Sequence, residues 1–190
     1  MKKIIFVNAC KTKTDRAGLA KEMYVGQFSE KAYRYATKIE HDKIFFLSTV
    51  FHVVEPDQEV SKVNKRFKNM SAIEKREWAK VTVSQIREKG IDVEKDELVF
   101  LTPKDYWEGI VSILQKEGKS TENFKTPLIG LTQGKQIGWI TDRLKEVEEW
   151  AVEIETKNTL GKRNLCWNEL YYDVWNAMRR SIYNGGKICQ

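Results

Sequence analysis

Four times along this chain a short, almost wholly apolar run is followed by a stretch with helical spacing, and that alternation limits the fold more than any other feature. Lys3 to Asn8 is the first run, and its lack of polar alternation suits a strand buried on both faces of a parallel sheet. Leu19, Met23, Phe28, Ala32, Tyr35, Ala36 and Ile39 then form a helical stripe, broken near Gly26. Lys43 to Ser48 repeats the strand pattern. After a polar connection containing Pro56, Ser71-Ala72-Ile73-Glu74 carries a capping-box pattern that opens a second helix, predicted to end at Gly90.

Glu97 to Leu101 is the third strand. Thr102-Pro103 opens the next helix, which runs to Glu117, with the Thr102 hydroxyl as cap and the proline where no N–H is needed. Pro127 to Leu131 reads as the fourth strand, followed by a helix from Gln133 to Ile154, and Leu170, Val174, Ala177 and Met178 mark an added helix between Cys166 and Tyr183. Strand–helix alternation of this kind predicts an α/β fold: a three-layer α/β/α sandwich on a mainly parallel four-stranded sheet, plus a C-terminal helix. The whole chain, 1–190, reads as a single α/β domain with a core at 1–156, a C-terminal helical extension at 157–190, and Lys157 to Asn164 as a linker.

Composition agrees with a packed globule: 41% of the residues are hydrophobic and 11% aromatic, whereas three prolines and eleven glycines exclude low-complexity sequence. The apolar runs fall far short of the about 20 residues a membrane helix needs. After Met1-Lys2-Lys3 only four apolar residues precede Asn8, too few for a signal-peptide core, so a cytoplasmic protein with no membrane contact is expected. Cys10, Cys166 and Cys189 are odd in number and form no C-x-x-C pair, which makes them free thiols. With only His41 and His52 besides, neither a metal nor a cofactor is expected.

The net charge of +6 is unevenly placed. Residues 1–38 carry nine basic and three acidic side chains, residues 157–190 six and two, and the intervening stretch is net negative. If the two basic ends meet where the strands terminate, they form one positive face suited to a phosphate-rich partner; the alternative is an ordinary solvated surface.

In open parallel sheets ligands bind beyond the carboxyl ends of the strands, so the loops there matter most. Asn8-Ala9-Cys10-Lys11-Thr12-Lys13 follows the first strand and offers two amines at a loop-to-helix junction, an anion site or a solvated loop. Ser48-Thr49-Val50-Phe51-His52 follows the second, continuing through Glu55-Pro56-Asp57 to Asn64-Lys65-Arg66. A carboxylate there could activate water and His52 could steady a developing charge, although a lone loop histidine serves structure equally well. Asp105-Tyr106-Trp107 supplies rings for stacking on a base or for the core, and the glycines of Gly130 to Gln136 suit either close backbone approach to a ligand or a tight turn.

Val7-Asn8-Ala9-Cys10-Lys11-Thr12-Lys13, the stretch from Ala20-Lys21-Glu22-Met23-Tyr24 to Phe28-Ser29-Glu30-Lys31-Ala32, Leu47-Ser48, Pro56-Asp57, and Pro127-Leu128-Ile129-Gly130-Leu131 to Trp139 resemble a bacterial and phage family that begins with a strand and a Ser-Cys-Ser-Lys-x-Lys-like motif. That family in turn resembles the uracil-DNA-glycosylase-like superfamily. The likeness covers residues 3–145. Where the family has Ala-Lys-Tyr-Gly after the second strand this chain has Thr49-Val50-Phe51-His52, and where it has Pro-Tyr-Asp this chain has Lys62-Val63-Asn64.

The resemblance implies a DNA glycosylase that extrudes a modified base, such as a hypermodified or glucosylated cytosine of phage DNA, and leaves an abasic site in anti-phage defence. It assigns base recognition to Asn8, Ser48 and Phe51, water activation or cation stabilisation to Asp57, a place near the leaving base to His52, and an orienting role to Asn64. Lys11, Lys13, Lys65 and Arg66 would hold DNA phosphates. DNA is the expected partner, with no obligate protein partner. A non-enzymatic nucleic-acid-binding protein and an enzyme of free nucleosides or nucleotides are the alternatives.

Overall fold

The computed structural model describes residues 1–10, 16–62 and 65–160, with side chains as far as Val152. The elements are β1 (Lys3–Asn8), β2 (Gly18–Leu19), α1 (Ala20–Met23), α2 (Gln27–Lys38), β3 (Lys43–Ser48), β4 (His52–Val54), β5 (Glu59–Val60), a 3-10 turn (Phe67–Asn69), α3 (Ala72–Glu88), β6 (Glu97–Leu101), α4 (Lys104–Lys116), β7 (Phe124–Lys125) and α5 (Gln133–Leu160). The main sheet has the order β4-β3-β1-β6-β7, with β3, β1, β6 and β7 parallel and β4 antiparallel at one edge. β2 and β5 pair separately.

Strand alternation divides the core in two. Ile5, Val7, Ile44, Phe46, Val99 and Leu101 face α2 and α5, packing on Phe28, Tyr35, Ile140 and Leu144. Ile4, Phe6, Phe45, Leu47, Leu98 and Phe100 face α3 and α4, packing on Trp78, Ile86, Ile110 and Leu114. The continuous apolar strands were therefore read correctly: β1 and β6 lie inside the sheet with helices on both faces, so neither face tolerates polar residues. Phe6 stacks on Phe100 at 5.0 Å and on Phe45 at 5.9 Å, so truncating it to alanine would cost about 3–5 kcal/mol.

The capping box forms as its spacing requires. Ser71 Oγ accepts from Glu74 N at 3.2 Å, and the Glu74 carboxylate accepts in turn from Ser71 N at 2.8 Å. Gly26 is the N-cap of α2, at the predicted break, and Gly90 closes the end of α3 at φ +70°.

Three expectations need correction. The sheet has five strands rather than four, because the turn after β3 sends the chain back as β4. The predicted strand at Pro127 to Leu131 is a turn, and the fourth parallel strand is β7, earlier in the chain. There Ile129 N bonds Thr126 O at 3.0 Å, Gly130 takes φ +75°, Leu128 anchors inward and Ile129 is exposed. Lastly, α4 begins at Lys104 with Pro103 as its N-cap, so Thr102 does not cap it.

α5 continues to Leu160, through the first residues of the predicted linker. The predicted helix between Cys166 and Tyr183, with Cys166 and Cys189, lies outside the described residues. Among the described residues no helix is long and apolar enough to cross a membrane.

Candidate functional site

β3 lies on one side of β1 and β6 on the other, so strand order reverses at β1, and in open α/β sheets such a reversal is where ligands bind, beyond the carboxyl ends of the strands. Val7 pairs with Leu101, which sets Asn8 beside Thr102 on neighbouring strands about 5 Å apart, on the face covered by α4. Both are buried, and neither Asn8 Oδ1 nor Thr102 Oγ1 has a hydrogen-bond partner. The same is true of the Tyr24 hydroxyl, which faces Ser48 without a bond of good geometry. Buried polar atoms are satisfied in the great majority of cases, and each orphan costs about 1–3 kcal/mol. Three at one rim of one sheet mark a place prepared for something polar.

Tyr106, on the first turn of α4, completes the group. Burial pushes its phenol well up, the Cys10 thiol and Tyr24 act in the same sense, and the nearby Asn8 amide opposes them. Burial also raises the Tyr24 phenol. Both remain protonated at neutral pH. The Tyr106 ring stacks on Phe67 at 4.4 Å and meets Trp78 edge-on, so its core reading holds for the ring while its hydroxyl reaches the rim.

Beneath this rim the end of β1 is locked. Ser29 Oγ, fully buried on α2, donates to Asn8 O at 2.5 Å and accepts from Cys10 N at 3.1 Å. Its single proton is thus committed to Asn8, so the Cys10 thiol, 2.9 Å away, donates to Ser29 Oγ. Gly26 makes the close approach of α2 feasible: its N–H bonds Cys10 O at 3.2 Å, and a Cβ there would overlap the Cys10 sulfur.

The residues singled out from sequence are only partly gathered. Asn8 and Ser48 stand at adjacent strand ends, and Ser48 Oγ accepts from Val50 N and Phe51 N at 3.3 Å each, pinning the turn into β4. That turn straddles the sheet end: Phe51 packs toward the α2 face, whereas His52 stacks on Trp78 at 6.1 Å on the α3 face. His52 holds φ +61°, a left-handed conformation that only a few per cent of non-glycine residues adopt, and burial lowers its pKa, which favours the neutral ring.

Asp57 is set apart from the rim. Val54 pairs with Phe46, two residues before Ser48, and Asp57 lies beyond it, largely exposed and 2.5 Å from Lys21. Lys65 pairs with the capping Glu74 at 2.8 Å, an arrangement that holds the Glu74 carboxyl down to about 2, and Arg66 is exposed. Lys11, Lys13 and Asn64 lie outside the described residues. Gln136, in the first turn of α5, spends its amide on Leu131 O at 2.9 Å.

Of the residues expected to form a basic face, Lys11, Lys13 and residues 161–190 lie outside the described residues. Lys2 and Lys3 sit at the amino end of β1, where the strand begins, and Lys38 ends α2 on that same side. Lys3 pairs with Glu97, Arg34 with Glu148, and Lys31 bonds Thr141. Among the described residues no three of His, Cys, Asp and Glu gather as a metal site.

Sequence reasoning missed Thr102 and Tyr24 and left Tyr106 between two roles. The available signal was positional: Thr102 occupies on β6 the place that Asn8 occupies on β1.

No curated protein and no solved structure matches this chain. A family match begins in β1, takes in every strand of the main sheet, and ends inside α5. The chain belongs to the family of unknown function DUF6884, whose model matches residues 4–142.

Proposed function

We propose that this protein is a DNA glycosylase whose base pocket is the rim formed by Asn8, Tyr24, Thr102 and Tyr106. The observation that carries the reading is the set of three buried polar atoms without partners beside the reversal of strand order. A flipped base offers donors and acceptors on one planar edge, which is what such a rim lacks. The resemblance to the uracil-DNA-glycosylase-like superfamily supports the same reading.

Cleavage of an N-glycosidic bond develops positive charge on the sugar, and a carboxylate facing that charge lowers the barrier. Asp57 takes that role only by leaving Lys21 and approaching the rim from which it is set apart in the ligand-free structure, with His52 beside the leaving base and Phe51 against its ring. Asn64 orients the attacking water, and Lys11, Lys13 and Arg66 hold phosphates, with Lys65 released from Glu74 to join them.

The test is incubation with DNA containing uracil, hydroxymethylcytosine or glucosylated hydroxymethylcytosine, followed by detection of abasic sites. Excision from at least one substrate, lowered at least a hundredfold by Asp57→Ala, is expected. Absence of excision from every substrate overturns the enzyme reading.

One observation favours a second reading, a nucleic-acid-binding protein without catalysis: the Asp57 carboxylate is already neutralised by Lys21 and stands away from the rim. That reading predicts salt-sensitive DNA binding that survives Asp57→Ala and His52→Ala and is lost on removing Lys11 and Lys13.

A further inference from the structure

The rim is polar and, among its described residues, holds no buried charge. Among the described residues the only buried ionisable carboxylate or amine is Asp96, and it lies at the amino end of the sheet, accepting from Lys2 N at 2.8 Å. At the carboxyl end the buried polar groups among the described residues are amides, serines, threonines and two phenols. A ligand charge placed there would find no counter-ion among them and would lose its hydration.

Asn8 lies at the centre of this group. Its Oδ1 is buried and without a partner, a bare acceptor. Thr102 Oγ1, on the neighbouring strand, and the Tyr24 hydroxyl, across the strand ends, can each either donate or accept. An acceptor flanked by hydroxyls matches the lactam or amidine edge of a neutral heterocycle, where a ring N–H lies next to a carbonyl or amino group.

We propose that this pocket binds an uncharged nucleobase through a ring or exocyclic N–H donated to Asn8 Oδ1, with Thr102 and Tyr24 completing the edge, and that it therefore binds the free base without DNA. The inference rests on reading the rim as a base pocket but is independent of whether the protein cleaves anything. Thr102 is the specificity-determining residue: its hydroxyl has no structural bond to lose, so removing it takes no contact from the scaffold.

Isothermal titration of the full chain with uracil, cytosine, adenine and hypoxanthine tests this directly, followed by titration with the base that binds best after its donating N–H is replaced: methylation at N3 of uracil or N1 of hypoxanthine, dimethylation of the exocyclic amine of cytosine or adenine. At least one unmodified base should bind, and its N-methyl counterpart should bind at least tenfold more weakly, as loss of one buried hydrogen bond requires. Thr102→Val should weaken binding by about tenfold and Thr102→Ser should restore it. Circular dichroism and unfolding midpoints establish that both variants are folded.

Binding of none of the four bases overturns the inference, and so does equal affinity for the methylated and unmethylated forms. Excision from DNA that is indifferent to Thr102→Val also overturns it while leaving the glycosylase reading in place. Base binding that follows the predicted order without excision of any substrate supports the inference and removes the glycosylase reading.

Discussion

Replacing Thr102 with valine should stabilise the ligand-free protein, contrary to the usual effect of altering a buried threonine. Valine has the same branched shape, so the change exchanges a hydroxyl for a methyl without opening a cavity. Thr102 is 1% exposed and its Oγ1 has no partner, so folding strips the hydroxyl of water and returns nothing, a cost of about 1–3 kcal/mol. Removing it should recover about 1 kcal/mol, which in a chain of this length raises Tm by about 2–4 °C.

Thr49 is the internal control. It is also buried, but its Oγ1 donates to Lys65 O at 2.7 Å, tying the turn after β3 to the segment before α3. Thr49→Val should lose about 1 kcal/mol. Urea unfolding of the parent and both variants is the assay, and equal m-values would show that only stability has changed. Opposite signs at the two threonines are expected. If Thr102→Val destabilises as Thr49→Val does, its hydroxyl is already satisfied, and the argument that the rim awaits a polar ligand fails. Linkage adds a second comparison: a bound base at 100 times its Kd should stabilise the parent by about 2.7 kcal/mol, and the same concentration should stabilise Thr102→Val by clearly less.

Gly26→Ala should destabilise by about 1–3 kcal/mol in urea unfolding, because its Cβ would overlap the Cys10 sulfur and lie 2.9 Å from the Cys10 carbonyl oxygen; Cys10→Ala should relieve part of that loss, and additive effects would refute the contact. His52→Gly should be about 1 kcal/mol more stable than His52→Ala, since both lose the ring stacked on Trp78 but only glycine is relaxed at φ +61°; the reverse order would mean that the turn is not left-handed. Burial pushes Tyr35 up to about 12, so the unfolded chain gives up this proton first. Its contribution is complete below about pH 10 and is lost as pH rises toward 12, about 2–3 kcal/mol that Tyr35→Phe should remove from the alkaline slope of the unfolding midpoint. The lowered His52 pKa works in the opposite sense: the unfolded chain takes up this proton first as pH falls below about 6.5. Stability should therefore rise with pH from the folded-state pKa to that value, and His52→Gln should flatten this part of the profile.

The strands of this protein are plain in its sequence because β1, β3 and β6 are covered on both faces, and a doubly covered strand has no reason to alternate. The same rule misled at Pro127 to Leu131. An apolar run is also what a turn looks like when one residue, Leu128, anchors it and the next, Ile129, projects outward. Five apolar letters do not record which of them face the same way.

The site was legible to the extent that it follows from chain direction. Ligands gather at strand carboxyl ends, so Asn8 and Ser48 could be named from position alone, and Lys2 and Lys3 could have been placed at the other end by the same logic. Thr102 shows where sequence reading stops. Before a proline it reads as a helix cap, and its hydroxyl seemed accounted for. The backbone at Pro103 is extended, with φ −57° and ψ 153°, which delays α4 to Lys104 and carries the Thr102 hydroxyl one residue beyond reach of the helix N–H groups. A residue type states what bonds a side chain can make. Whether they are already spent is settled only when neighbouring strands and helices have packed, and at this rim the unspent bonds of Asn8, Tyr24 and Thr102 are what distinguish a binding site from more core.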